Sequence, residues 1–89
     1  MNGSPRPAQA VEIYDLKGLN CPLPVLRTAK RLAGMRAGGL LWVETTDPLA
    51  AIDIPAFCAE KGYRLVETQA VAGGHRFLIG VPPARKEAG

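Results

Sequence analysis

Apolar and polar residues alternate along Val11-Glu12-Ile13-Tyr14-Asp15-Leu16, the two-residue period of a strand with one buried face. Lys17-Gly18-Leu19-Asn20 breaks that alternation and reads as a loop. From residue 21 to about 35 the period lengthens to that of a helix. Val25, Leu26, Ala29, Leu32 and Ala33 share one side, and Arg27, Lys30 and Arg31 the other. Gly34, Gly38 and Gly39 close the segment. Residues 40–45 (LLWVET) form a second strand of apolar and β-favouring side chains, with Trp42 counted in the core. Asp47-Pro48 opens a second helical segment, Asp47 as cap and Pro48 at the first helical position. Ile54-Pro55 interrupts it, because proline disfavours helical geometry in the residue before it. The expectation is a short turn up to Ile52, then a restart with Asp53 as cap, running to Lys61 and stopped by Gly62. Residues 65–70 and 76–81 are two further strands, joined by the tight hairpin Ala72-Gly73-Gly74-His75. The order β-α-β-α-β-β predicts an α+β two-layer sandwich, a four-stranded mixed sheet with two helices on one face.

Residues 1–9 and 82–89 are rich in Pro, Gly and charge and read as flexible tails, leaving residues 10–81 as the folded domain. A chain of 89 residues and 9.5 kDa holds one small domain. Its 47% hydrophobic and 21% charged residues exclude an intrinsically disordered chain. No apolar run approaches the roughly 20 residues of a membrane span. The N-terminus has no apolar stretch of the kind a secretory signal requires. These features predict a cytoplasmic protein without membrane insertion. Two cysteines, Cys21 and Cys58, form neither a C-x-x-C pair nor a Cys/His cluster, so neither a metal site nor a disulfide framework is expected, and the thiols should be reduced.

Eleven basic residues against eight acidic ones give a net charge of +3, unevenly spread. No carboxylate falls between Lys17 and Val43, where Lys17, Arg27, Lys30, Arg31 and Arg36 all lie. Such a stretch is either a solvated helix face or a docking surface for an acidic partner. Direct nucleic-acid binding is not expected from +3 and five aromatic residues (two Phe, two Tyr and one Trp).

The chemistry concentrates at Gly18-Leu19-Asn20-Cys21-Pro22-Leu23-Pro24. Prolines in the first turn of a helix cost little, since the first N–H groups have no intrahelical acceptor. Pro22 and Pro24 stiffen the turn and set Cys21 at or next to the helix start. The positive end of the helix dipole favours a thiolate there, and such a cysteine titrates below its free value of about 8.5. Two readings are open for Cys21, a small buried hydrophobe and a nucleophilic thiol, and its place beside a polar loop favours the second. Gly18 suits the loop's backbone and a close approach to Cys21. His75, the one histidine, sits at the hairpin and reads as a surface residue, so Cys-His chemistry lacks a base. No resolving cysteine is near Cys21. Cys58 falls with Ile54 and Phe57 on the buried side of the second helix, and Asp53 reads as a cap before a functional acid.

Gly18-x-x-Cys21-Pro22-x-Pro24, with Asp15 before it and Asp47-Pro48 and Asp53-Ile54-Pro55 after it, resembles the TusA/SirA family of small sulfur-carrier proteins. The resemblance runs from about residue 13 to 80. It implies a cytoplasmic two-layer fold and no cofactor. It also implies that Cys21 takes sulfane sulfur as a persulfide and passes it to another protein, with Gly18, Pro22 and Pro24 shaping the site. The donor would be a cysteine desulfurase or a rhodanese-type protein, and the acceptor would serve tRNA thiolation, a molybdenum-cofactor enzyme or sulfur oxidation. Lys17, Arg27, Lys30 and Arg31 would be the docking residues. Two positions depart from the pattern: Leu23 stands where members dedicated to tRNA thiolation often carry an acid, and Gly62-Tyr63 stands where many have Gly-His. The alternative is a non-catalytic regulatory or interaction module that binds through its basic face.

Overall fold

Residues 11–83 are described by a computed structural model of the chain. The elements follow the expected order: β1 (Glu12–Asp15), α1 (Leu23–Ala33), β2 (Leu40–Thr45), α2 (Ala50–Lys61), β3 (Arg64–Val71) and β4 (Gly74–Gly80). They form one four-stranded sheet in the order β1-β2-β4-β3. β1 runs parallel to β2, while β4 is antiparallel to both β2 and β3. This is the α+β two-layer architecture that the pattern predicts. The expected tail at residues 1–9 and most of that at 82–89 lie outside the described residues.

The sheet's two faces follow from its register. Leu41 pairs with Ile79 and Val43 with Phe77, which places all four on one face. All are buried there with Leu32 of α1 and Ala50, Ile54 and Cys58 of α2. Burying each of the large side chains contributes about 1.5–3 kcal/mol relative to leaving it exposed. The intervening positions point to the uncovered face, where Ile13, Trp42 and Leu78 stand in one row. Ile13 there is 56% exposed.

The structure corrects three local expectations. Trp42 is not core: the two-residue period that buries Leu41 and Val43 turns it outward, half-buried beneath the Arg76 guanidinium 4.8 Å above its ring. In α1 the buried positions are Pro24, Thr28 and Leu32, while Leu26 is 56% exposed. The inner face is thus rotated toward the side that starts at Pro24. Finally, α2 is one continuous helix with Pro55 inside it, and it starts at Ala50 after Leu49 rather than at Pro48 after an Asp47 cap. Two tight turn bonds, Ala50 N–H to Asp47 C=O and Ala51 N–H to Pro48 C=O, start it, so no restart at Asp53 is needed. The helix gives up a single N–H at Pro55 and keeps burying Ile54 and Cys58. It ends at Gly62, whose φ of 82° suits glycine and whose N–H caps the Cys58 carbonyl.

Topology gives the fold a chemical end. A helix that links two parallel strands returns antiparallel to both. Since β1, β2 and β3 all run the same way, α1 and α2 both begin at the end of the sheet where β1 and β2 finish.

Candidate functional site

The loop after β1 is tied down residue by residue. Leu16 is buried and donates its N–H to the Glu44 carbonyl, extending the β1–β2 pairing. Lys17 and Gly18 turn the chain, with Gly18 at φ +88°, a conformation L side chains rarely adopt. Nothing lies within 4 Å of where a Cβ would stand, so backbone geometry alone selects glycine. Its N–H donates to Thr46 Oγ1 at 3.0 Å.

Cys21 follows in a turn, joined to Pro22 by a cis peptide bond. Pro22 is the N-cap of α1, Leu23 its first residue, and Pro24 is buried under the first turn. Cys21 therefore lies just ahead of the helix cap, exposed.

Two carboxylates from the start of α2 frame it. Asp47, buried, accepts the Cys21 N–H on Oδ2 at 2.8 Å and the Leu49 N–H on Oδ1 at 3.3 Å. One side chain thus fastens the loop before α1 to the turn before α2. The Cys21 thiol donates to Asp53 Oδ2 at 3.5 Å. Asp53 is no cap, because α2 has already begun and its N–H bonds to the Leu49 carbonyl.

These neighbours reverse the expected electrostatics of the thiol. Surrounding protein takes water from Sγ, the Asp53 carboxylate beside it opposes a second negative charge, and Asp47 adds to the opposition. Together they push the thiol above the ordinary cysteine range, against the lowering that the helix dipole suggests. Cys21 rests as a thiol. Neither contact was legible locally, since Asp53 is 32 residues from Cys21 and Asp47 is 26. The clue available was a second Asp, at 53, in a helix that Asp47 already opens.

The basic residues separate. Lys17 pairs with Asp15 at 2.9 Å and with Glu44 at 3.0 Å, and Glu44 also holds Arg76 at 2.7 Å. Arg31 pairs with Glu12 of β1. Arg27 and Lys30 lie exposed on α1, in no ion pair among the described residues. The thiol's end of the molecule also carries exposed apolar side chains, Leu23 and Leu26 on α1 and Leu49 and Ile52 at the start of α2. Cys58, by contrast, is sealed in the core, where burial pushes its thiol up to about 11. Among the described residues no cluster of His, Cys, Asp and Glu could hold a metal ion, and no helix is long and apolar enough to cross a membrane.

A family described as "Sulfurtransferase TusA" matches residues 12–81. The "Sulfur carrier protein TusA" of Pseudomonas aeruginosa (strain LESB58) is 45% identical over 67 residues, which cover 75% of this chain and 85% of that protein. That of Allochromatium vinosum is 45% identical over 65 residues, 73% of this chain and 86% of that one. Among solved structures, a SirA-like protein from Desulfitobacterium hafniense superposes with a TM-score of 0.68 at 26% identity, covering 82% of this chain and 99% of the other.

Proposed function

The chain belongs to the TusA family of sulfurtransferases, and we propose that it is a sulfur carrier whose reactive atom is Cys21 Sγ. One observation carries the choice of atom: of the two cysteines, Cys21 is exposed where both helices begin, and Cys58 is buried. The reaction is a redox-neutral exchange. A donor persulfide R–S–SH meets the Cys21 thiol, a bond forms from Sγ to the terminal sulfur, and the donor leaves as R–SH. Cys21–S–SH then gives that sulfur to an acceptor thiol by the same chemistry in reverse. Persulfidation is a reversible cap on a cysteine, as a carrier requires.

The family's carriers work in a relay between a donor and an acceptor protein. For this chain the donor is a cysteine desulfurase or a rhodanese-type protein, and the setting is cytoplasmic. The acceptor belongs to tRNA thiolation, a molybdenum-cofactor enzyme or sulfur oxidation. Arg27 and Lys30 are better placed for docking than Lys17 and Arg31, which spend their charge on Asp15, Glu44 and Glu12. The exposed leucines and Ile52 supply apolar contact at the same end. The alternative of a non-catalytic interaction module has no support in the relatives' names.

Incubation with a desulfurase plus cysteine, or a rhodanese plus thiosulfate, tests the reading by intact mass without reductant. The protein should gain one sulfur atom and lose it to dithiothreitol. If neither donor loads it while Cys21 still reacts with iodoacetamide, the carrier role is wrong.

A further inference from the structure

The raised thiol poses a problem for the carrier role: Cys21 must lose a proton to take up sulfur and regain one to release it. Two acids stand beside it, and their bonding differs. Both oxygens of Asp47 are occupied by backbone N–H groups, those of Cys21 and Leu49. Asp53 makes no capping bond, and among the described residues its side chain accepts from the thiol alone. It is half-buried in the first turn of α2 with Oδ2 facing Sγ, so it has both access to the reacting atom and capacity to take a proton.

We propose that Asp53 is a catalytic residue, the proton carrier of both half-reactions at Cys21; this rests on the carrier reading above. In uptake, the Sγ electron pair attacks the terminal sulfur of R–S–SH. The S–S bond of the donor breaks, and its electrons leave on R–S⁻. The Sγ proton passes to Asp53 Oδ2 and from there to R–S⁻, giving Cys21–S–SH and R–SH. In release, Asp53 takes the proton of the acceptor thiol R′–SH as R′–S⁻ attacks the outer sulfur. It returns that proton to the departing Cys21 Sγ. No electrons are gained or lost overall, and the proton moves from one sulfur to the other. The carboxylate never has to hold it as a stable product.

Protonation at departure matters because a thiol raised above its usual range leaves poorly as a thiolate. Among the described residues the charged groups acting on Sγ are Asp53 of α2 and Asp47 of the preceding loop, both acidic.

The test pairs two reactions of the same sulfur in the full chain: uptake from glutathione persulfide, which needs a proton moved to the leaving thiol, and alkylation by iodoacetamide, which needs only the thiolate. In Asp53→Asn, uptake should fall by about 10²-fold, the low end of general acid–base catalysis. Alkylation at neutral pH should become faster, with its pH profile moved toward acid, because a negative charge has gone. Asp53→Glu, which keeps a proton-accepting oxygen, should recover most of the uptake. Loss of both reactions together in Asp53→Asn, or a change in neither, contradicts the assignment. So does faster alkylation with undiminished uptake. If the unaltered protein alkylates at Cys21 but takes no sulfur from glutathione persulfide, the carrier reading itself fails.

Discussion

The end of the molecule where both helices begin and the interior between helices and sheet each hold one cysteine, and each raises its thiol for a different reason. At Cys58 the cause is burial alone, which pushes the thiol up to about 11 and shuts out any reagent. At Cys21 loss of water is joined by carboxylates, on a side chain that remains exposed. A raised thiol is therefore no guide to function by itself. What separates the two sites is access and the presence of a neighbour able to move the proton.

The comparison breaks most sharply on sulfur uptake. Cys21→Ser should lose it entirely, while Cys58→Ser keeps it, as intact mass after loading will show. Alkylation sharpens the same contrast: in native protein iodoacetamide should label Cys21, faster as pH rises, whereas Cys58 should label only at the rate of unfolding, followed by peptide mapping. Within α2 the two regions meet two residues apart. Ile54→Ala, at a position with no exposure, should cost about 2–5 kcal/mol in denaturant unfolding. Ile52→Ala, 66% exposed, should stay within about 0.5 kcal/mol. Asp47→Ala falls between, at about 1–3 kcal/mol, because it strips the acceptor from two N–H groups beside Cys21.

The smallest effect belongs to the uncovered face of the sheet, where Glu44 bridges Lys17 and Arg76. Those cations hold the Glu44 carboxyl below the ordinary glutamate range, Lys17 foremost. A folded-state value below the unfolded one means support that is full above the unfolded value and fades as pH falls through the folded one. Glu44→Gln should therefore narrow the loss of thermal stability between neutral and acidic pH, with little change at the acidic end.

Much of the fold was legible because its signals are local. Alternation marked β1, apolar and β-favouring residues marked β2, and paired glycines marked the hairpin between β3 and β4. A lengthened period marked α1, and Gly62 marked the end of α2. What failed locally failed for tertiary reasons. Pro55 reads as a break, yet burial of Ile54 and Cys58 on either side of it holds α2 together. Trp42 reads as core because it sits in a strand beside Leu41 and Val43, yet register assigns it to the open face.

The site divides the same way. The stretch from Gly18 to Pro24 announces itself as a contiguous motif with an exposed thiol at its centre. The acids that govern that thiol arrive from α2 and the loop before it, and local reasoning from one helix dipole gave the wrong direction for its proton affinity. The basic residues looked like a single face, but Lys17 and Arg31 were already matched to carboxylates on other strands.

The central claim is that sulfur resides on Cys21 and on no other residue. The most direct measurement is to load the protein with a persulfide donor, block all sulfurs with iodoacetamide without reductant, and fragment the digest by mass spectrometry. The account predicts an adduct carrying one additional sulfur on the peptide containing Cys21 and an ordinary thiol on the peptide containing Cys58. Additional sulfur on Cys58, or a loaded protein whose Cys21 peptide carries none, would contradict it.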